Sequence, residues 1–310
     1  MARPVLKWAG GKRQLLDELY ARFPASYGRY HEPFLGGGAV LFDLAPPAAT
    51  ANDRNPRLVN CYGQVRDRPA ALIERLRGFA APESDPDPSQ AFAETDWSGD
   101  PVGSYYYQQR ARFNRRPYGD APWPTTDAER LEEAALLVYL NRTCYNGLYR
   151  ENSEGGFNVP VGRYADPDWV VADRIRAASR VLSAVTLRNE DFEAAVDDAD
   201  PGDLVYLDPP YEPMSATANF AEYSAAGFGR EDQKRLLAAA SALDDRDVHV
   251  VVSNSGVTYD RYDAAGFAVD RVDATRSINS DETSRGAVDE IVATNVPRAE
   301  RRGQASFEEF

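Results

Sequence analysis

The sequence predicts an α/β fold interrupted by an inserted middle segment of different character, and three observations carry this. Short apolar runs alternate with helical stretches near both ends of the chain. At HEPFLGGGAVLF (31–42) a strand turns through three glycines into a helix, and the next strand ends in an acid, which is a βαβ arrangement. Between the two α/β stretches lie a tyrosine cluster, an arginine-rich run and a part rich in Gly, Asn and Tyr.

Along the chain, Val5 to Leu19 reads as a short turn, KWAGGK (7–12), and a helix with Leu15, Leu16 and Leu19 on its apolar face. Residues 29–35 form a strand that runs into the glycine turn, and Ala39, Val40, Leu41 and Leu44 mark the helix after it. Ala48 to Ala51 is a short strand ending at Asn52-Asp53, and Pro56 with Leu58 to Val65 begins another helix. Pro82 to Pro101 is acidic and rich in Pro and Ser, the composition of an exposed loop. Tyr105 to Tyr107 and RARFNRR (110–116) follow. Glu129 to Leu140 has helical spacing, and Asn141 to Arg163 suits a hairpin. The α/β rhythm then resumes, with helices at Val170–Ser183 and Arg230–Leu243. Strands are expected at Val185–Leu187, Leu204–Leu207, Val248–Ser253, Val269–Val272 and Glu290–Asn295. The expected organisation is one domain from 1–56 and 168–296, an inserted domain at 57–167, and a flexible polar tail at 297–310.

With 310 residues and 43% hydrophobic side chains, a sizeable core can form. No apolar run reaches the length of ~18 residues needed to cross a membrane, and the N-terminus lacks the pattern of a signal peptide. We therefore expect a cytoplasmic protein. Cys61 and Cys144 lack CxxC spacing, and His31 and His249 are isolated, so no metal site is expected. Net charge is −14 and pI about 4.7, with lysine only at 7, 12 and 234. This composition resembles that of proteins from salt-loving organisms. At ~1 M salt the screening length is roughly 3 Å, so acidity of this kind does not exclude a nucleic-acid partner. It does predict poor stability at low salt.

The glycines after the first strand let the backbone approach a ligand closely. Asp53, at the end of the next strand, stands where Rossmann-like sites place a carboxylate for ribose hydroxyls. The same features alone also fit a structural turn followed by a solvated acid. GxGxxG is absent, which argues against a pyrophosphate site, and AGGK (9–12) lacks the spacing of a phosphate loop. Trp8 could wall an adenosyl pocket and Lys12 could face a carboxylate. Read alone, each fits surface or core better.

The stretch VYLDPPYEP (205–213) is the most informative. An apolar strand stops at a carboxylate, followed by two residues without an N–H and then an aromatic ring. An exocyclic amino group on a nucleobase is a poor nucleophile, because its lone pair is delocalised into the ring. A catalyst must accept its N–H protons and turn the lone pair toward an electrophile. Asp208 offers a carboxylate oxygen and Pro209 a backbone carbonyl. The prolines stiffen the loop and bring no competing donor, and Tyr211 can stack on an extruded base. A bare strand-ending turn is the structural alternative.

With these residues in view, the chain resembles the Dam-type, D12-class, alpha-group DNA adenine-N6 methyltransferases. KWAGGK (7–12), EPFLGGG (32–38) and DPPY (208–211) carry the resemblance in that order. YLNRTCYNGLYR (139–150), GGFNVPVGRY (155–164) and SATANF (215–220) extend it over most of the chain. The resemblance implies a class I, Rossmann-like methyltransferase core with an inserted, mainly helical target-recognition domain. It implies S-adenosyl-L-methionine as cofactor, held near Trp8, Lys12, Phe34, Gly36, Gly38, Asp53 and Asp208. Asp208, Pro209, Pro210 and Tyr211 would hold the flipped adenine. Lys7, Arg142, Tyr145, Asn146, Leu148, Arg150 and Pro160 would meet double-stranded DNA. Tyr145 would wedge into the duplex, Arg150 would read a guanine edge and Pro160 would touch a thymine methyl, the reader of 5′-GATC. Arg150 alone would equally suit a phosphate contact or a surface ion pair. RSINSDETSRGAVDE (276–290) departs from the family by carrying acids where a basic phosphate-contacting loop is expected. Neither a membrane nor a metal is expected as a partner, and a monomer is expected in solution. N4-cytosine methylation and a catalytically idle DNA-binding regulator are the rival readings.

Overall fold

Seven short stretches hydrogen-bond into one sheet in the order β3-β2-β1-β4-β5-β7-β6. The strands are β1 (Tyr30–Glu32), β2 (Ala49–Asn52), β3 (Val185–Arg188), β4 (Leu204–Leu207), β5 (His249–Ser255), β6 (Ala268–Thr275) and β7 (Ala287–Thr294). Strands β1 to β5 run parallel, and β7 is antiparallel to both β5 and β6. The computed structural model describes residues 2–8, 10, 12–82, 105–115, 126–211, 228–275 and 287–302. The acidic stretch 83–100, SATANF (215–220) and the segment 276–286 lie outside the described residues.

Contacts divide the chain into two compact units. The sheet unit comprises Gly10–Arg54, Ala184–Ala221 and Gly227–Phe310. Its central strands β1, β2 and β4 are buried along their whole length, and β4 reads accordingly as a continuous apolar run. Successive side chains of β4 face opposite sides of the sheet. Val205 and Leu207 join Val250 and Val252 of β5 and Leu236, Ala240 and Leu243 of α9 (Arg230–Asp244) in one apolar cluster. Tyr206 faces the other way, hydrogen-bonds Ser253 at 3.0 Å and meets Phe23. Each fully buried leucine here contributes about 2 kcal/mol by burial. Short helices α1 (Leu16–Tyr20), α2 (Ala39–Leu44), α8 (Phe192–Ala195) and α10 (Tyr259–Ala264) complete the unit. The segment expected as a loose tail behaves differently over 298–302. A 3-10 turn at Arg298–Glu300 is followed by a bridge from Pro24 to Arg301, whose guanidinium is buried and donates to the Val296 carbonyl at 3.0 Å. Polar composition concealed this, because the arginine head binds backbone oxygen while its stem packs.

The helical unit comprises Met1–Ala9, Asn55–Ser183 and Glu222–Ala226. In it α3 (Pro56–Asp67) is capped by the Asn55 side chain, which accepts from the Arg57 amide at 2.9 Å, with Pro56 at the first helical position. The central helix α6 (Asp127–Thr143) starts in a capping box between Thr126 and Glu129. It is buried from Glu133 to Asn141, packed by α3, α4 (Pro69–Arg77) and α5 (Tyr105–Asn114). Helix α5 was not legible from the sequence, because its buried side mixes Gln109 and Arg110 with Tyr106, Tyr107 and Phe113 and leaves no apolar stripe. Helix α7 (Ala172–Leu182) packs on α3 and α4. The units therefore part at Asn55 and Ser183, where sequence reading placed the seam at 57 and 167. No described helix is long and apolar enough to cross a membrane.

Candidate active site

In the sheet unit, the candidate residues converge at the carboxyl ends of β2, β1 and β4. Parallel α/β sheets open a crevice there, at the point where strand order reverses on either side of β1. Asn52, buried at the end of β2, donates to the carbonyls of Pro33 (3.0 Å) and Glu190 (3.1 Å) and accepts from the Glu190 amide at 2.8 Å. It ties three strand ends together. The glycine turn follows β1 with Gly36 at φ +48° and Gly38 at φ +67°, which a side-chain-bearing residue adopts only under strain. A Cβ on Gly38 would stand 2.8 Å from the Phe42 ring. Asp53 Oδ2 accepts the Gly36 amide at 2.8 Å, so this acid holds the turn itself. Phe34 stacks on Phe192 with centroids 5.3 Å apart and meets Phe228 edge-on.

Beyond β4, Asp208 faces a buried ammonium. Lys12 Nζ lies 3.0 Å from Asp208 Oδ1 and 3.8 Å from Glu290 Oε2, and donates to the Gly10 carbonyl at 3.2 Å. The same ammonium sits 4.6 Å from the centroid of the Tyr211 ring. The Tyr211 hydroxyl donates to Glu290 Oε2 at 2.8 Å. Burial raises the Asp208 carboxyl to about 6, opposed by Lys12 and reinforced by the charge of Glu290. It is thus ionised and acceptor-only at neutral pH. Glu32, the last residue of β1, is buried and accepts the Tyr30 hydroxyl at 2.8 Å. Burial, with Asp208 adding to it, raises Glu32 to about 8, so it stays protonated at neutral pH.

In the helical unit, the other candidates lie on or beside one strapped loop. Antiparallel bridges join Cys144 to Val161 and Glu151 to Phe157, which gives the expected hairpin in fragmentary form. The Pro160 carbonyl accepts the Tyr145 amide at 2.8 Å, and the Arg150 carbonyl accepts the Asn158 amide at 3.0 Å. Tyr145, Arg150 and Pro160 are exposed, Leu148 is half-buried, and Asn146 takes a left-handed conformation at φ +54°. Arg150 Nε donates to Asn158 Oδ1 at 2.7 Å and Arg142 Nε to the Asp168 carbonyl at 3.1 Å. Lys7 is strapped by Asn141, whose side chain accepts its amide at 2.7 Å and donates to its carbonyl at 2.8 Å. Burial and then the charge of Arg142 lower the Lys7 ammonium's pKa. A Cβ on Gly147 would fall 2.2 Å from the Lys7 stem, so the glycine is needed there. Trp8 belongs to this unit, where it stacks on Tyr149 at 5.0 Å.

The model of the D12 class N6 adenine-specific DNA methyltransferases matches residues 8–283. The chain belongs to this D12 class. It is 38% identical over 295 residues to "Type II methyltransferase M1.LlaDCHI" of Lactococcus lactis subsp. cremoris, covering 94% of this chain and 95% of that protein. To "Type II methyltransferase M.MjaIII" of Methanocaldococcus jannaschii it is 34% identical, covering 89% and 93%. To "DNA adenine methylase" of Escherichia coli K12 it is 33% identical, covering 95% and 96%.

As an adenine-specific DNA methyltransferase the protein acts on DNA, and the N4-cytosine alternative loses its ground. The structure brings Lys12, Asp208 and Tyr211 into direct contact, and separately gathers Phe34, Gly36, Gly38 and Asp53 at the turn. Sequence reading of this D12 enzyme missed Glu32 and Glu290. Glu32 was taken only as part of EPFLGGG, and Glu290 only as one more acid in an acidic segment. An acid within a strand segment was the available signal in each.

Proposed function

We propose that the protein moves a methyl group from S-adenosylmethionine to N6 of an adenine flipped out of duplex DNA, within 5′-GATC. The sheet unit is the cofactor and catalytic domain, and the helical unit reads the target. One observation carries the reading: Asp208, at the end of a rigid buried strand, is paired at 3.0 Å with the Lys12 ammonium, which also faces the Tyr211 ring.

The residues present fit the cofactor. Asp208 and Glu290 face a single ammonium, and Glu32 is protonated, so the cluster keeps an excess negative charge that suits a sulfonium. The glycine turn follows β1 at the crevice, where Phe34 and Gly36 are half-buried and Asp53 holds the Gly36 amide. When bound, S-adenosylmethionine supplies a methyl group on positively charged sulfur. Asp208 accepts one proton of the adenine amino group as a hydrogen bond and the Pro209 carbonyl accepts the other, which turns the nitrogen lone pair outward. Tyr211 stacks on the extruded base. Asp208 need not remove a proton first, because the amine becomes strongly acidic only once alkylated. The exposed Tyr145, Arg150 and Pro160 suit wedge, guanine contact and thymine contact, and the GATC reading rests on the resemblance of 139–150 and 155–164. A restriction–modification role is supported by the names of the Lactococcus and Methanocaldococcus relatives.

The test is to incubate the protein with duplex DNA and cofactor, weigh the digested nucleosides, and sequence the modified strands. N6-methyladenine at GATC is expected, and Asp208→Ala should lose transfer by at least ~10²-fold while still binding DNA. Normal turnover in that variant removes the mechanism. Methylation at a different motif removes only the recognition reading.

A further inference from the structure

The two prolines of the motif lack N–H groups, so what orients their carbonyls must come from elsewhere. The Pro210 carbonyl accepts a hydrogen bond from Gln233 Nε2 at 3.1 Å. Gln233 Oε1 in turn accepts from Asn254 Nδ2 at 2.9 Å, and Asn254 Oδ1 accepts the Ser255 amide at 2.8 Å. Both side chains are buried, Gln233 on α9 and Asn254 on β5. This chain begins at a backbone N–H, which can only donate, and ends at a carbonyl, which can only accept. Each amide along it therefore has a single satisfiable orientation, and neither can flip without leaving buried polar atoms unpaired.

We infer that Gln233 and Asn254 are positioning residues for methyl transfer, forming a one-way relay that fixes the peptide between Pro210 and Tyr211. The inference rests on the catalytic reading of Asp208 to Tyr211. The relay engages the Pro210 carbonyl, and no described residue donates to the Pro209 carbonyl, which is left as the second acceptor for the adenine amino group. It also anchors the loop to two well-packed elements: Gln233 is the polar first member of the α9 stripe that continues through Leu236, Ala240 and Leu243, and Asn254 sits near the end of β5. Neither residue touches the reacting atoms. They act through the motif's geometry, where a displacement of ~1 Å lowers a rate by about 10²-fold.

The decisive variant is Gln233→Glu, compared with Gln233→Met, wild type and Asp208→Ala. Each is assayed for kcat with saturating DNA and cofactor between pH 5.5 and 8.5, together with DNA affinity and melting temperature. An ionised glutamate cannot donate to the Pro210 carbonyl, so at pH 8.5 kcat should fall by about 10²-fold with DNA affinity unchanged. On acidification the buried acid takes up a proton and regains a donor, so the ratio of its kcat to wild type should climb by at least ~10-fold. Gln233→Met should show a loss without that recovery. A purely structural role predicts a ratio for Gln233→Glu that is flat with pH, and that result overturns the relay. So does wild-type kcat in Gln233→Met. Should Gln233→Glu not fold, Asn254→Ser decides: it keeps Gln233 but removes what orients its amide. Its kcat should fall ~2–10-fold with DNA affinity unchanged, and an unaltered kcat overturns the proposal. Turnover in Asp208→Ala would mean the catalytic reading has failed. A dead Asp208→Ala beside fully active relay variants would mean that only the relay has failed.

Discussion

Replacing Lys12 by methionine keeps most of the buried stem and removes the ammonium 3.0 Å from Asp208. At that distance, with an effective dielectric of ~20, the attraction is about 5 kcal/mol as an upper bound. The Asp208 side chain keeps 21% exposure, so solvent screens part of this. Loss of one opposite charge at such range raises a carboxyl midpoint by ~1–3 pH units. The remaining neighbours, burial and Glu290, both act upward. The Asp208 midpoint should therefore move from about 6 to ~7–9. At pH 7 the acceptor, about nine-tenths ionised in the wild type, drops to between ~one-half and ~one-hundredth ionised. The assay is the pH profile of kcat/KM for a short GATC duplex, whose acid limb reports groups of the free enzyme. Activity at pH 7 should fall ~2- to ~100-fold and recover toward pH 9. An acid limb left near pH 6 refutes the reasoning, whatever the absolute rate.

Two further outcomes follow from the same unit. Glu32 is raised from 4.5 to about 8, so its contribution to stability is fully present below pH 4.5 and is lost as pH rises through about 8. Glu32→Gln should flatten the stability curve between pH 5 and 8 by about 1 kcal/mol per pH unit, read from urea unfolding, and an unchanged slope would contradict the assignment. Of the net charge of −14, −13 falls on the sheet unit and −1 on the helical unit. Self-repulsion screened over ~10 Å at 0.1 M but ~3 Å at 1 M should make the melting temperature rise with KCl, and a fall would end that account.

All seven strands were legible, Leu204 to Leu207 most plainly, because a parallel strand covered on both faces writes itself as an apolar run; that reason does not extend to the antiparallel β6 and β7. Helix α6 showed through its spacing, whereas α5 did not, since arginine and glutamine heads satisfied inside the fold leave no apolar period. The seam at Ser183 was equally hidden: α7 has the apolar spacing of a helix from either unit, and spacing does not say which neighbour it meets.

The chain's order of motifs was enough to determine the family, the α/β core and the position of Asp208 at a strand end, because each depends on residues near one another in sequence. Tertiary structure alone decided that Asp53 holds the glycine turn, that Lys12 lies between Asp208 and Glu290, and that Gln233 reaches the Pro210 carbonyl. The physical reason is separation along the chain. Charge and hydrogen-bond partners act over a few ångströms, and residues 12, 208 and 290 reach that range only after the sheet has assembled.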